Sequence, residues 1–298
     1  MLFKLGRSVS SKKLLLLSNF SSIVTSKMSN GKFPGVSLVD VVSVLEKFAP
    51  KELSESWDNT GLLVEPYSPR PVTKILLTND LTEDVALEAD GKECEMIISY
   101  HPPIFAPLKS VVQKSWKERV LSLLLEKRIS LYSPHTSWDC VKGGVNDWLA
   151  SPFLVAESAP IITRTDPSVG AGRILKLQTG ISLSEAISKV KEVTGLQYVR
   201  FAIGRNKLLS DEVRTVALCA GSGSSVLKGV VADLYLTGEM LHHDVLDASQ
   251  KGISVILTNH SDSERGFLRI FSSDLQNRLD KKVQVLVSNC DKDPLVTV

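Results

Sequence analysis

Apolar and polar positions along the chain fall into two alternating periods. Short runs rich in Ile, Leu and Val occur at Lys74–Thr78, Met96–Ser99, Ile129–Tyr132, Leu175–Leu177, Thr215–Ala220, Leu234–Thr237, Ser254–Leu257 and Lys282–Val287. Their length and β-branched content predict buried strands. Between them the apolar residues recur at helical spacing. Leu38, Val41, Val42, Val44, Leu45 and Phe48 define a helix over Ser37–Phe48. Thr82–Ala89 and Trp116–Lys127 read the same way, and Val145–Ala150 opens another helix. Ser182–Val193 follows, with Ser182 as N-cap and Glu185 three residues on. Further helices start at His242 and Arg265. Strands that alternate with helices of about ten residues predict βαβ units, hence an α/β fold with mainly parallel sheets. Residues 159–172 carry two Pro and two Gly. They are the expected linker between two lobes, over residues 31–158 and 173–298.

Composition narrows the class. The 298 residues are 43% hydrophobic and 23% charged, which excludes low-complexity disorder for most of the length. No apolar run approaches the ~18 residues that a membrane-spanning helix needs. Cys94, Cys140, Cys219 and Cys290 are scattered without a CxxC pair. They predict neither a disulfide framework nor a zinc ribbon, and they suit a reducing compartment.

Charge is placed unevenly. Residues 1–30 contain Lys4, Arg7, Lys12, Lys13 and Lys27 and no acid. This Ser-, Leu- and Lys-rich stretch has the composition of a transit peptide, so a mitochondrial location is expected; a start at Met28 would give a cytoplasmic form. Without those five basic groups the formal charge falls from +2 to −3. A mildly acidic body is a poor match to a nucleic-acid backbone, and nucleic acid is not an expected partner.

The five histidines carry the strongest chemical signal. His101, His135, His242, His243 and His260 all lie at or just beyond the C-terminal end of a predicted strand, the edge where open α/β sheets bind ligands. His135 and Asp139 are four residues apart, as are His260 and Glu264, which on one helical turn puts each pair on one side. Imidazoles with carboxylates and no thiolates suit Zn, Mn, Fe or a similar divalent ion, at one or two per subunit. The rival reading is ordinary ion pairing at helix starts. Gly221-Ser222-Gly223-Ser224-Ser225 after a strand is either a nest of amides for a phosphate or a tight turn with serines capping a helix. Asp58, in the turn Ser56–Gly61, either caps that turn or lines a site.

Six ordered stretches, SWDNTGLLV, SYHPPIFAPLK, SPHTSWDCVKGGVN, GSGSS, TGEMLHHDVLDA and NHSDSERGFL, resemble the NGG-interacting-factor-three-like family, also described as type two GTP cyclohydrolase I-like. The resemblance runs from about Ser37 onward. It implies two similar α/β lobes and a homo-hexameric ring built from trimers, with a dinuclear metal site in each subunit facing the interior. The implied metal ligands are His101, Asp139, His260 and Glu264. The family's first ligand histidine is replaced here by Tyr100, and a phenol with its pKa near 10 is the poorer ligand at neutral pH. The expected activity is that of a metal-dependent hydrolase or cyclohydrolase on a small nucleotide-like or phosphorylated compound. His135 and Glu264 would be catalytic. Asp58, Tyr100, Glu239, His242 and His243 would line the substrate pocket, with a phosphate seated on Gly221, Ser222, Gly223 and Ser224. The alternative is a non-enzymatic ring-shaped scaffold that binds transcription-related proteins.

Overall fold

The computed structural model describes residues 33–296; the expected leader over residues 1–30 lies outside them. In chain order the larger elements are α1 (Leu38–Phe48), β1 (Gly61–Val64), β2 (Lys74–Thr78), α2 (Glu83–Gly91), β3 (Met96–Ser99), α3 (Trp116–Lys127), β4 (Ser130–Ser133), α4 (Thr136–Cys140), α5 (Val145–Ala150), β5 (Val155–Ala159), β6 (Ile162–Thr163) and β7 (Gly170–Ala171). They continue with β8 (Arg173–Ser182), α6 (Leu183–Thr194), β9 (Arg200–Ala202), β10 (Glu212–Ser222), α7 (Ser224–Leu227), β11 (Leu234–Glu239), α8 (His242–Gln250), β12 (Ser254–Leu257), α9 (Gly266–Arg278) and β13 (Gln284–Val287). Side chains start several helices as the pattern predicts. Ser182 Oγ accepts from the Glu185 amide at 3.1 Å, and Ser115 with Glu118 forms a reciprocal capping box at the head of α3.

The elements build two mixed sheets. The first has the order β1–β4–β3–β2–β13, parallel except for β1. The second has the order β5–β8–β10–β11–β12–β9, and only β10, β11 and β12 run parallel. The expectation of mainly parallel sheets holds for the first and not for the second. Its outer strands, β5 and β9, are half-exposed or exposed, and antiparallel pairing tolerates such water-facing strands. They are also too short and polar to stand out as apolar runs.

The expected boundary at 159–172 does not divide the sheets. Part of that stretch forms a small ladder of its own, β6 with β7. The last strand, β13, returns to the first sheet and pairs with β2, Val285 opposite Ile75 and Val287 opposite Leu77. The edge of the second sheet beyond β12 is already filled by β9, so the α9 crossover delivers its strand to the open edge of β2 instead.

Period-two alternation sorts the core into layers. One face of the first sheet (Leu76, Ile97, Leu131) packs on α2 and α3 through Val85, Ala89, Val120 and Leu124. Its other face (Ile75, Leu77, Met96, Ile98) shares one apolar cluster with Val216, Leu218, Leu234, Leu236 and Ile256 of the second sheet, filled in by α1, α5, α6 and α9. The far face of the second sheet (Ala217, Cys219, Tyr235, Val255) carries α7 and α8 through Leu227 and Ala248. All four cysteines are free. Among the described residues no helix is long and apolar enough to cross a membrane.

Two buried polar side chains tie the second sheet to α4 and α5. Asn146, with no exposure, donates to the Asp139 carbonyl at 3.0 Å and accepts from the Ala220 amide at 2.8 Å. Arg173, 3% exposed, grips both oxygens of Asp147 and donates to the carbonyls of Val141, Gly170 and Gly172. We predict that Arg173→Ala, which strands a carboxylate and three carbonyls, destabilises the protein by about 3–5 kcal/mol, measured by urea denaturation.

Candidate metal centre

The C-terminal ends of β2, β3 and β4 face those of β10, β11 and β12, and the loops leaving them form the site. His101 comes just after β3, while His260 and Glu264 come after β12. The three offer one donor atom each, all within 4.8 Å of one another. Glu264 is the centre, only 3% exposed. Its Oε2 lies 3.4 Å from His101 Nε2, and its Oε1 lies 3.4 Å from His260 Nε2. Asn79, at the end of β2, donates from Nδ2 to Oε2 at 3.1 Å.

The outer nitrogen of each imidazole is already engaged. His101 Nδ1 is 2.9 Å from Asp80 Oδ1, and His260 Nδ1 is 2.8 Å from Glu239 Oε1. A carboxylate behind each ring fixes its orientation and leaves Nε2 for a ligand. Burial alone would depress the His101 imidazole, but the charge of Glu264 and hydrogen bonds to Asp80 and Glu264 outweigh it and hold its pKa at about 10. Three further observations fit a cation here. The Asn79 Oδ1 is buried without a partner. The donors are all nitrogen and carboxylate oxygen, the set that divalent ions accept. Gly221, at φ 65°, leaves room that no other residue would: a Cβ there would stand 2.5 Å from Glu264 Oε1 and 3.2 Å from His260 Nε2.

Tyr100, Asp139, His135 and Asp58 form a second cluster beside the first. The Tyr100 hydroxyl donates to Asp139 Oδ1 at 2.5 Å. Burial raises the Asp139 carboxyl to about 6, opposed by the Tyr100 hydrogen bond and reinforced by the charge of Glu264. His135 Nδ1 is 2.7 Å from Asp58 Oδ1, and the other Asp58 oxygen takes hydrogen bonds from Thr136. Burial works against the ionised Asp58, but these bonds and His135 keep its pKa below the ordinary carboxylate value. His135 has φ 37°, a conformation rarely adopted by a side-chain-bearing residue and a mark of imposed local strain. The ring centroids of His101 and His135 are 5.3 Å apart.

Two cavities meet at the cluster. One, of about 470 Å³, is lined by His135, Asp139, His260, Glu264, Ser222 and the aromatic pair Trp57 and Phe105. The other, of about 520 Å³, is lined by His101, His260, Asp80, Glu239 and Arg200.

The geometry brings only some of the expected site residues together, and Gly221 and Ser222 line the 470 Å³ cavity. Asp139, expected as a ligand, lies outside the three-donor group, with one oxygen held by Tyr100. His242 and His243 are exposed on the first turn of α8 and line neither cavity. β11 ends at Glu239, and the two residues between carry the pair away from the strand end. The Gly221–Ser224 turn is not an open nest of amides. The Gly221 amide is spent on Ser263 Oγ at 2.7 Å and the Gly223 amide on Thr237 Oγ1 at 3.0 Å, while Ser224 lines a different cavity, with Lys228, Val230 and Asp244. Asn79 and Asp80 were not anticipated; their only signal is a polar pair directly behind an apolar run.

A family model described as Duf34/NIF3 (NGG1p interacting factor 3) matches residues 36–294. The chain belongs to this family. NIF3-like protein 1 of Drosophila melanogaster is 48% identical over 270 residues, covering 89% of this chain and 91% of that protein. NGG1-interacting factor 3 of Saccharomyces cerevisiae is 38% identical over 278 residues, covering 86% and 95%. Among solved structures, reduced HcgD from Methanocaldococcus jannaschii superimposes with a TM-score of 0.70 at 27% identity, covering 84% and 97%. A Bacillus cereus protein related to NIF3 gives 0.78 at 21% identity, covering 87% and 98%, and shares the fold. The NIF3 membership expected from the six motifs is therefore established.

The geometry generates two predictions for this NIF3 protein. Gly221→Ala costs about 1–2 kcal/mol in backbone conformation. Its methyl group also displaces the Glu264 carboxylate, so calorimetric titration with Zn²⁺ or Mn²⁺ gives at least about a tenfold weaker affinity. In metal-free protein, His101 holds its proton up to about pH 10 when folded and to 6.5 when unfolded. That stabilisation is complete below pH 6.5 and is lost as pH rises through about 10. The melting temperature falls across this window, and His101→Gln flattens the fall.

Proposed function

We propose that this NIF3-family protein is a metal-dependent hydrolase or cyclohydrolase acting on a small nucleotide-like or phosphorylated compound. The observation that carries the reading is that His260 and Glu264, two members of the three-donor group, form a wall of the same 470 Å³ cavity as His135 and Asp139. That volume is within the range of small-molecule sites. His101, His260 and Glu264 hold the ion, and Asp80 and Glu239 fix the two imidazoles. A divalent ion bound there supplies an acidified water as nucleophile.

The remaining roles belong to side chains. His135 has its Nδ1 tied to the fully buried Asp58 carboxylate, which sets its tautomer and leaves Nε2 to move a proton at the cavity wall. Trp57 and Phe105, 59% and 52% exposed with ring centroids 6.0 Å apart, offer apolar faces to a planar base. Arg200, exposed in the neighbouring cavity, offers its guanidinium to a phosphate. Assembly as a homo-hexameric ring is part of the proposal and rests on the family resemblance.

A second reading, a non-enzymatic protein that binds other proteins, is favoured by the name of the yeast relative, NGG1-interacting factor 3. One experiment separates the two. Purified protein loaded with Mn, Zn or Fe is assayed against a panel of nucleotides and phosphorylated metabolites. We predict turnover of at least one compound, abolished in Glu264→Ala and reduced about 10²–10⁴-fold in His135→Ala. Turnover that survives Glu264→Ala overturns the assignment, and a complete absence of turnover by metal-loaded protein favours the second reading.

A further inference from the structure

Asp139 is the half-buried acid that the metal group leaves out, although it lines the same cavity as Glu264 and His260. We propose that Tyr100 restricts this centre to one divalent ion per chain by keeping Asp139 out of coordination. The inference rests on the metal-site reading above and concerns how many ions the site takes.

The hydrogen bond from the Tyr100 hydroxyl to Asp139 Oδ1, at 2.5 Å, occupies one of the two carboxylate oxygens and sets a hydroxyl proton where a second ion would need a donor atom. Tyr100 cannot easily withdraw. It is 2% exposed and belongs to the core cluster between the sheets. Its amide donates to the Thr78 carbonyl at 2.9 Å, and its carbonyl accepts from the His135 amide at 3.1 Å. Its ring packs against two imidazoles, with centroids 4.9 Å from His101 and 5.6 Å from His135. For Asp139 to bind an ion through that oxygen, a short hydrogen bond to a carboxylate must break, leaving a buried hydroxyl without a partner.

The other donors are committed as well. His101 and His260 have each given one ring nitrogen to a carboxylate, so each has a single nitrogen left and neither can serve two ions. His135 has likewise given Nδ1 to Asp58. An imidazole at position 100 would reverse the restriction. It is shorter than a phenol, so its ring nitrogen stops short of Asp139 and leaves a gap that an ion with bonds of about 2.0–2.2 Å can fill.

The test counts ions rather than turnover. Full-length protein is saturated with Zn²⁺ or Mn²⁺ and desalted. Metal per chain is then measured by elemental analysis, with positions located by anomalous scattering. The wild type is expected to hold one ion, on His101, His260 and Glu264. Asp139→Asn keeps it with affinity reduced by less than about tenfold. Tyr100→His doubles the metal content, and Tyr100→His with Asp139→Asn returns it to the wild-type level. Two ions in the wild type, with Asp139 bound to one, overturn the inference and leave the metal site standing. So does a Tyr100→His protein that melts cooperatively and stays at one ion. Loss of the ion in a folded Asp139→Asn protein also overturns it, and that variant decides the question if Tyr100→His does not fold. A wild type that takes up no ion at all removes the metal site itself, and this inference with it.

Discussion

A carboxylate sealed from water must be compensated, and Glu264 organises this molecule through that requirement. Three groups answer it: the Asn79 amide and the imidazoles of His101 and His260. The imidazoles in turn are backed by Asp80 and Glu239. The resulting row, Asp80–His101–Glu264–His260–Glu239, holds three acids against two bases. A site with excess negative charge in a partly buried place invites a divalent cation, whose own charge then dominates the local electrostatics.

The fold serves that row by facing two sheet edges. The parallel strands of each sheet end at the same place, and the side chains of the row come from loops on both sides. Its spacing depends on the joints beneath it. Asn146 bridges α5 to the Asp139 carbonyl and to β10, and Arg173 clamps β8 to Asp147. Gly221 lets the backbone of β10 pass within touching distance of Glu264 and His260. These packing and hydrogen-bonding contributions set the distances between the side chains of the row.

Much of this was legible in the sequence because of where the strands are buried. β2, β3, β4, β11 and β12 are covered on both faces, so they read as continuous apolar runs and their ends were easy to find. The histidines at those ends could then be grouped, and His101, His260 and Glu264 do come together. β5 and β9 were invisible because exposed edge strands carry no apolar run. The return of β13 to the first sheet was invisible too, since a strand's own residues do not encode its neighbour. Asn79 and Asp80 passed unnoticed because Asn and Asp after a strand are ordinary turn residues. His242 and His243 misled because proximity to a strand end in sequence ignored where β11 stops. The part played by Tyr100 is invisible in the sequence: only the short contact with Asp139 distinguishes a hydrogen-bond donor from a failed ligand.

The closing of the first sheet by β13 also orders events in time. During synthesis β2, β3 and β4 emerge early, but β2 keeps a bare edge until the strand that follows α9 has appeared. Asp291, just beyond that strand, accepts from the Asn79 backbone N–H at 2.8 Å, so the residue whose side chain steadies Glu264 is itself secured last. Pairing of such distant segments is slow to form. On the metal-site reading proposed above, cation capture belongs to the finished domain and not to the growing polypeptide, since His260 and Glu264 also arrive late in the chain.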